Sequence, residues 1–211
     1  MPDQSDTPFF EVSWRRAWQA LGLALPQDAV LHDLTHAYSE EQRHYHTLQH
    51  LRETLALLEP VLPMCRSPGA VELALWFHDA VYDPKAKDNE ALSADWAVRV
   101  LRGQGAFEAL CAQVERLILA TQHSAEPGDP DARLLVDVDL SILAAEPARF
   151  AEYEKQVREE YAWVPKPLFV IKRREVLRSF AHRPFIYGTE HFRALLEARA
   201  RKNLEKALSW F

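Results

Sequence analysis

Apolar residues recur at helical spacing along almost the whole chain, and only six glycines interrupt its 211 residues. This pattern limits the fold more than any other feature. A helix satisfies its backbone hydrogen bonds within itself, whereas a strand needs a partner. The spacing predicts helices over roughly 8–21, 27–39, 46–59, 70–82, 89–102, 106–123, 134–144, 147–162, 167–182 and 189–208. Pro147 suits a first helical turn, where its missing N–H would be unbonded anyway, and Thr189 and Asp88 are natural caps. Breaks fall at 60–68, 103–105, 126–130 and 183–184, where proline and glycine collect. Residues 134–140, LLVDVDL, alternate in part at period two, which leaves a short strand open. No other segment offers that strand a partner, so helix is preferred. Ala70 to Tyr82 is apolar almost all round and reads as a buried helix. The expected fold is all-α, one domain over 1–211, with nine to ten helices.

The composition is that of an ordinary globular chain, 48% hydrophobic and 27% charged. A formal charge of −6 gives no general attraction to a nucleic-acid duplex, so an anionic substrate would need a local basic site. Cys65 and Cys111 stand in no metal-binding spacing, which suits a reducing compartment and speaks against a thiolate zinc site. The opening MPDQSDTPFF lacks the basic-then-apolar order of a signal peptide, and no run reaches the ~18 apolar residues of a membrane span. A cytoplasmic location without membrane contact is the expectation.

Against this apolar background some polar residues are costly to place. His78 and Asp79 close the buried segment Trp76-Phe77-His78-Asp79-Ala80-Val81-Tyr82. An ionised carboxylate there costs several kcal/mol unless compensated, and a divalent cation is one compensation. An isolated His-Asp pair is more often hydrogen-bonded without metal. Other clusters shift that balance. His46 and His50, four apart in RHYHTLQH, would share a helix face. Thr121-Gln122-His123 ends a long amphipathic segment, and Asp137 and Asp139 lie inside the apolar run LLVDVDLSIL. Alone, His44 and His123 read as surface or helix-end histidines.

The order His, then His-Asp, then Asp, spread over about a hundred helical residues, resembles the HD superfamily of metal-dependent phosphohydrolases. The similarity is to a bacterial branch of predicted, uncharacterised members. It is carried by RHYHTLQHL, LALWFHDAVYDPKAKDNEALSA, ATQH and LVDVDLSIL, and extends to REEYAWV and ARARKNL. The resemblance implies an HD-type helical bundle with a metal-site core at about 40–145, on which helices over 147–208 pack. It implies His46, His78, Asp79 and Asp139 as metal ligands, with Asp137 the competitor of Asp139. His50 and His123 have no counterpart in the simplest four-ligand pattern, although some members place extra histidines near His123 for a second ion.

Two imidazoles and two carboxylates suit Mn, Fe, Co, Ni or Mg ahead of Zn. Such an ion polarises a phosphoryl group and activates water, which Asp79, Asp83 or Glu90 would orient. Arg43 could meet a bound phosphate, with Lys85, Lys87, Arg158 and Lys172-Arg173-Arg174 as further cations that read equally as solvated charge. His50, Asn89, His123 and Asp137 complete the substrate-binding candidates, and Tyr45 and Tyr82 could stack on a base. The implied activity is hydrolysis of a phosphate ester or anhydride in a small molecule, nucleotides included. The alternatives are a di-iron oxygenase on the same scaffold and a non-catalytic nucleotide-binding module. Apolar faces on amphipathic helices make a homodimer the expected assembly.

Overall fold

The computed structural model describes residues 7–209 apart from Ser124 and Glu126. Their α-helices are α1 (Thr7–Ala20), α2 (Asp28–Ala37), α3 (Leu48–Leu58), α4 (Pro68–Phe77), α5 (Asn89–Gly103), α6 (Glu108–Ala120), α7 (Pro130–Asp139), α8 (Pro147–Glu160), α9 (Lys166–Ala181) and α10 (Glu190–Ser209). Two 3₁₀ segments, Glu59–Met64 and Leu140–Ala144, prolong α3 and α7. No strand occurs among the described residues, so the alternation at 134–140 lies in a helix. That helix begins earlier than its apolar pattern suggests. The Asp129 carboxylate accepts from the N–H groups of Asp131 and Ala132 at 2.8 and 3.3 Å, and Pro130 follows as the first helical residue.

Helix α4 is the hub: every residue from Gly69 to Phe77 is buried, and α1, α3, α5, α6 and α7 all pack on it. Such a helix needs no polar face, which explains its continuous apolar sequence. Helix α1 crosses it at Gly69, where a Cβ would stand 2.9 Å from the Ala17 carbonyl oxygen. The Trp14 ring packs edge-on against Trp76, with centroids 5.2 Å apart. The one charge inside α4, Glu72, accepts from Ser13 Oγ at 2.7 Å and from the Arg16 guanidinium at 2.6 Å. Helices α5 and α6 pair with each other, and α10 packs on α9 and the 140–144 segment. No described helix is long and apolar enough to cross a membrane.

Candidate metal centre

Helix α4 stops at Phe77, short of the Tyr82 expected from its apolar pattern, because other groups take its backbone bonds. The Tyr38 hydroxyl donates to the Trp76 carbonyl at 3.1 Å and accepts from Asp79 N–H at 3.3 Å. Arg43 donates to the carbonyls of Asp79 and Ala80 at 2.6 and 3.0 Å, and Ser93 Oγ accepts from Val81 N–H at 3.0 Å. The chain therefore turns at the dyad, and His78 and Asp79 stand on a helix end.

There they meet the ends of two other helices. His50 lies in the first turn of α3, behind the Thr47 cap, and Asp139 is the last residue of α7. His50 Nε2 and His78 Nε2 are 3.2 Å apart. Asp139 Oδ1 lies 3.3 and 3.4 Å from these nitrogens, and Asp79 Oδ2 lies 3.5 and 3.0 Å from them. His50 and His78 are almost fully buried, while both carboxylates reach the wall of a cleft. His123, in the left-handed region at φ 54° just past α6, places Nε2 2.9 Å from Asp139 Oδ2.

These atoms fit a cation. His78 Nδ1 donates to the Leu75 carbonyl at 2.7 Å, so Nε2 is the nitrogen that faces the group and would be the free lone-pair donor once the ring is neutral. Lone pairs this close repel unless a proton or a metal ion lies among them. Burial alone would depress the His78 pKa, but the Asp79 charge and hydrogen bonds to Asp139 and Asp79 hold it well above the usual imidazole value. Burial alone would raise Asp139, yet hydrogen bonds from His123, His50 and His78 keep it well below the usual carboxylate range. Protons balance the carboxylates here, and a divalent ion can replace them. His50, His78 and Asp139 form a group that could hold a metal ion.

His46 is not in that group. It precedes α3 instead of sharing a face with His50, because Thr47 caps the helix after it. Its Nδ1 bonds Glu160 Oε2 at 2.8 Å. Glu160, at the end of α8, also accepts from the N–H groups of His44, Tyr45 and His46 at 3.0, 2.8 and 2.9 Å. Sequence reasoning missed it. REEY carries part of the resemblance, but nothing in its spacing points back across the chain to His46.

Other expectations are also corrected. Arg43 is almost fully buried, and it also donates to the His46 carbonyl at 3.1 Å and Glu40 at 3.0 Å; four of its five N–H groups are thus taken, which leaves no fork for a phosphate. Asp137 lies outside the group: it accepts from Gly188 N–H, Thr189 N–H and Thr189 Oγ at 2.6, 2.8 and 2.6 Å, and so caps α10. Asp83 is exposed and accepts from Lys85 N–H at 2.8 Å, away from the metal-capable group. Asn89 bonds the Asp83 backbone at 3.1 and 2.9 Å and shapes that loop, with part of its surface on the cleft.

The cleft above the group has a volume of about 670 Å³. Glu90, His46, Asp79, His123 and Asp139 reach it, as do the aromatic rings of Tyr45 and Tyr82. Of the predicted cations, Lys87, Lys172 and Arg173 line it. Arg173 is paired with Glu154, and Lys172 with Glu175 at 2.9 Å. Lys85 instead lies over the Trp163 ring, and Arg158 donates to the carbonyls of Tyr161 and Val164 at 2.6 and 3.1 Å.

Fold and site together define an all-helical protein with a buried His-His-Asp group that could hold a metal ion. No protein-family model, curated protein or solved structure matches the chain.

Proposed function

We propose that this protein is a metal-dependent hydrolase of a small phosphate ester or anhydride, related to the HD phosphohydrolases that its sequence resembles. The observation that carries this reading is the convergence of His50, His78, Asp79 and Asp139 at the base of an open cleft. These four residues would hold the ion, with His50 in the place where the sequence pattern suggests His46. Mixed nitrogen and carboxylate donors suit Mn, Fe, Co, Ni or Mg. When bound, the ion supplies Lewis-acid polarisation of a phosphoryl oxygen and activation of water. The chain's own residues do the rest. Lys87 puts positive charge on the cleft wall, where an anionic substrate gains most from it, and Lys172 and Arg173 line the same wall paired with Glu175 and Glu154. Glu90 offers a carboxylate on the same wall, and Tyr45 and Tyr82 offer apolar faces on which a nucleotide base fits. The test is a panel of nucleotides and an aryl phosphate, each assayed with several divalent metals. Turnover that needs metal and disappears in His78→Ala supports the reading; no metal-dependent turnover with any substrate overturns it.

One observation favours a second reading. Asp139 directs Oδ1 towards His50 and His78 and Oδ2 towards His123, so that its two oxygens would be available to two ions. Two metal ions per chain in anaerobically purified protein would support the dinuclear, oxygenase-like alternative, and a single ion would remove it.

A further inference from the structure

Glu160 has no part in the metal-capable group, yet it accepts five hydrogen bonds beside the cleft: three from the backbone of 44–46, one from His46 Nδ1 and one from the Tyr82 hydroxyl at 2.9 Å. Its side chain is fully buried, whereas that of His46 is 23% exposed. Tyr82 stacks on the His46 ring with centroids 4.1 Å apart and an interplanar angle of 28°, so the ring is held on one face and one edge. An ionised carboxylate only accepts hydrogen bonds, so the hydrogen on this edge belongs to Nδ1. His46 lines the cleft, and Nε2 is the ring nitrogen that Glu160 leaves open.

We infer that Glu160 is a positioning residue that holds His46 as its neutral Nδ1–H tautomer, so that Nε2 accepts a hydrogen bond from the water that attacks the substrate. His46 is then a catalytic residue beside the metal site and not a ligand within it, in accord with its absence from the group formed by His50, His78 and Asp139. The inference rests on the hydrolase reading for the identity of the water. The tautomer and the non-ligand role stand apart from that reading.

The isosteric change Glu160→Gln separates these roles. The amide oxygen must face the three backbone N–H groups, because its NH₂ would meet donors there. The NH₂ then faces His46 Nδ1, cannot accept from it, and drives the ring to the Nε2–H tautomer. In ring-¹⁵N NMR, without metal and with Mg²⁺, wild-type protein should show Nδ1 protonated and Nε2 bare, and Glu160→Gln should show the reverse. A second variant, His46→Asn, keeps a donor for Glu160 but removes the cleft-facing nitrogen. Both variants should keep the wild-type metal content and lower kcat on the panel's substrate about tenfold or more, with KM little changed. A wild-type ring protonated at Nε2, an unchanged tautomer in Glu160→Gln, loss of metal in His46→Asn, or unaltered kcat in either variant overturns the inference. If wild type turns over none of the panel, the hydrolase reading fails on its own. The NMR and metal results then still decide whether Glu160 positions a non-ligand histidine.

Discussion

The bond from His78 Nδ1 to the Leu75 carbonyl shows how one contact settles a residue's chemistry: it decides which nitrogen faces the site. His50 and Asp139 meet that nitrogen, whereas Asp137, two residues earlier, faces the start of α10. His50→Ala and Asp139→Ala should therefore each lose the metal, and Asp137→Asn should keep it, as elemental analysis of the purified variants will show. Glu160 makes a pH prediction. Burial alone would raise its pKa, but the neighbouring His46 and the hydrogen bonds it accepts from His46 Nδ1 and the backbone N–H groups hold it below the ordinary carboxylate value. A carboxylate lowered on folding stabilises the fold above its unfolded pKa, and that contribution fades as pH falls through the folded value. Urea unfolding should find Glu160→Gln less stable than wild type by about 1–3 kcal/mol at pH 7, through the loss of a charged acceptor, with the gap closing as pH falls below the ordinary carboxylate value of 4.5.

At the scale of elements, the predictions concern how helices end. Arg43 is the donor for three carbonyls in the turn after α4 and the loop before α3. Removing a buried charged donor leaves its acceptors unsatisfied at roughly 1–3 kcal/mol each. Arg43→Met should cost about 3 kcal/mol or more and reduce metal retention through Asp79. Arg43→Lys should recover only part, because an ammonium lacks the guanidinium fork. Asp137→Ala should cost about 1–2 kcal/mol by uncapping α10, again measured by urea unfolding. These same helix ends are where the sequence was least legible. The helices themselves were readable because an amphipathic stripe repeats over many residues, and Asp79 and Asp139 stood out as charges in apolar runs. The stop of α4 at Phe77 and the start of α3 after Thr47 depend on Tyr38, Arg43, Ser93 and Glu160, which approach from elsewhere in the chain. No local pattern encodes such partners, so the sequence alone sets neither His46 against Glu160 nor Arg43 against the carbonyls after α4.

For the whole molecule, a metal that binds only the folded chain must stabilise it by mass action. At a free concentration about a hundred times its Kd, the gain is roughly 2.7 kcal/mol. For a chain of this size that corresponds to a rise in Tm of about 5–10 °C. Thermal unfolding with added Mn²⁺ and again with excess chelator should show this difference, and His50→Ala should abolish it. An unchanged Tm would mean that the histidine–aspartate group is balanced by protons alone.

His50, His78 and Asp139 stand at the tips of α3, α4 and α7, not along their sides. Each additional residue in a helix moves its tip by 1.5 Å along its axis. The site therefore works as a gauge of how far each rod is pushed home in the bundle. A cavity opened inside α4, as by Leu73→Ala, removes no ligand, yet it lets the rod settle and should weaken metal binding, as titration with Mn²⁺ would show. Ion affinity would then report on the integrity of the core, and selection for one would preserve the other.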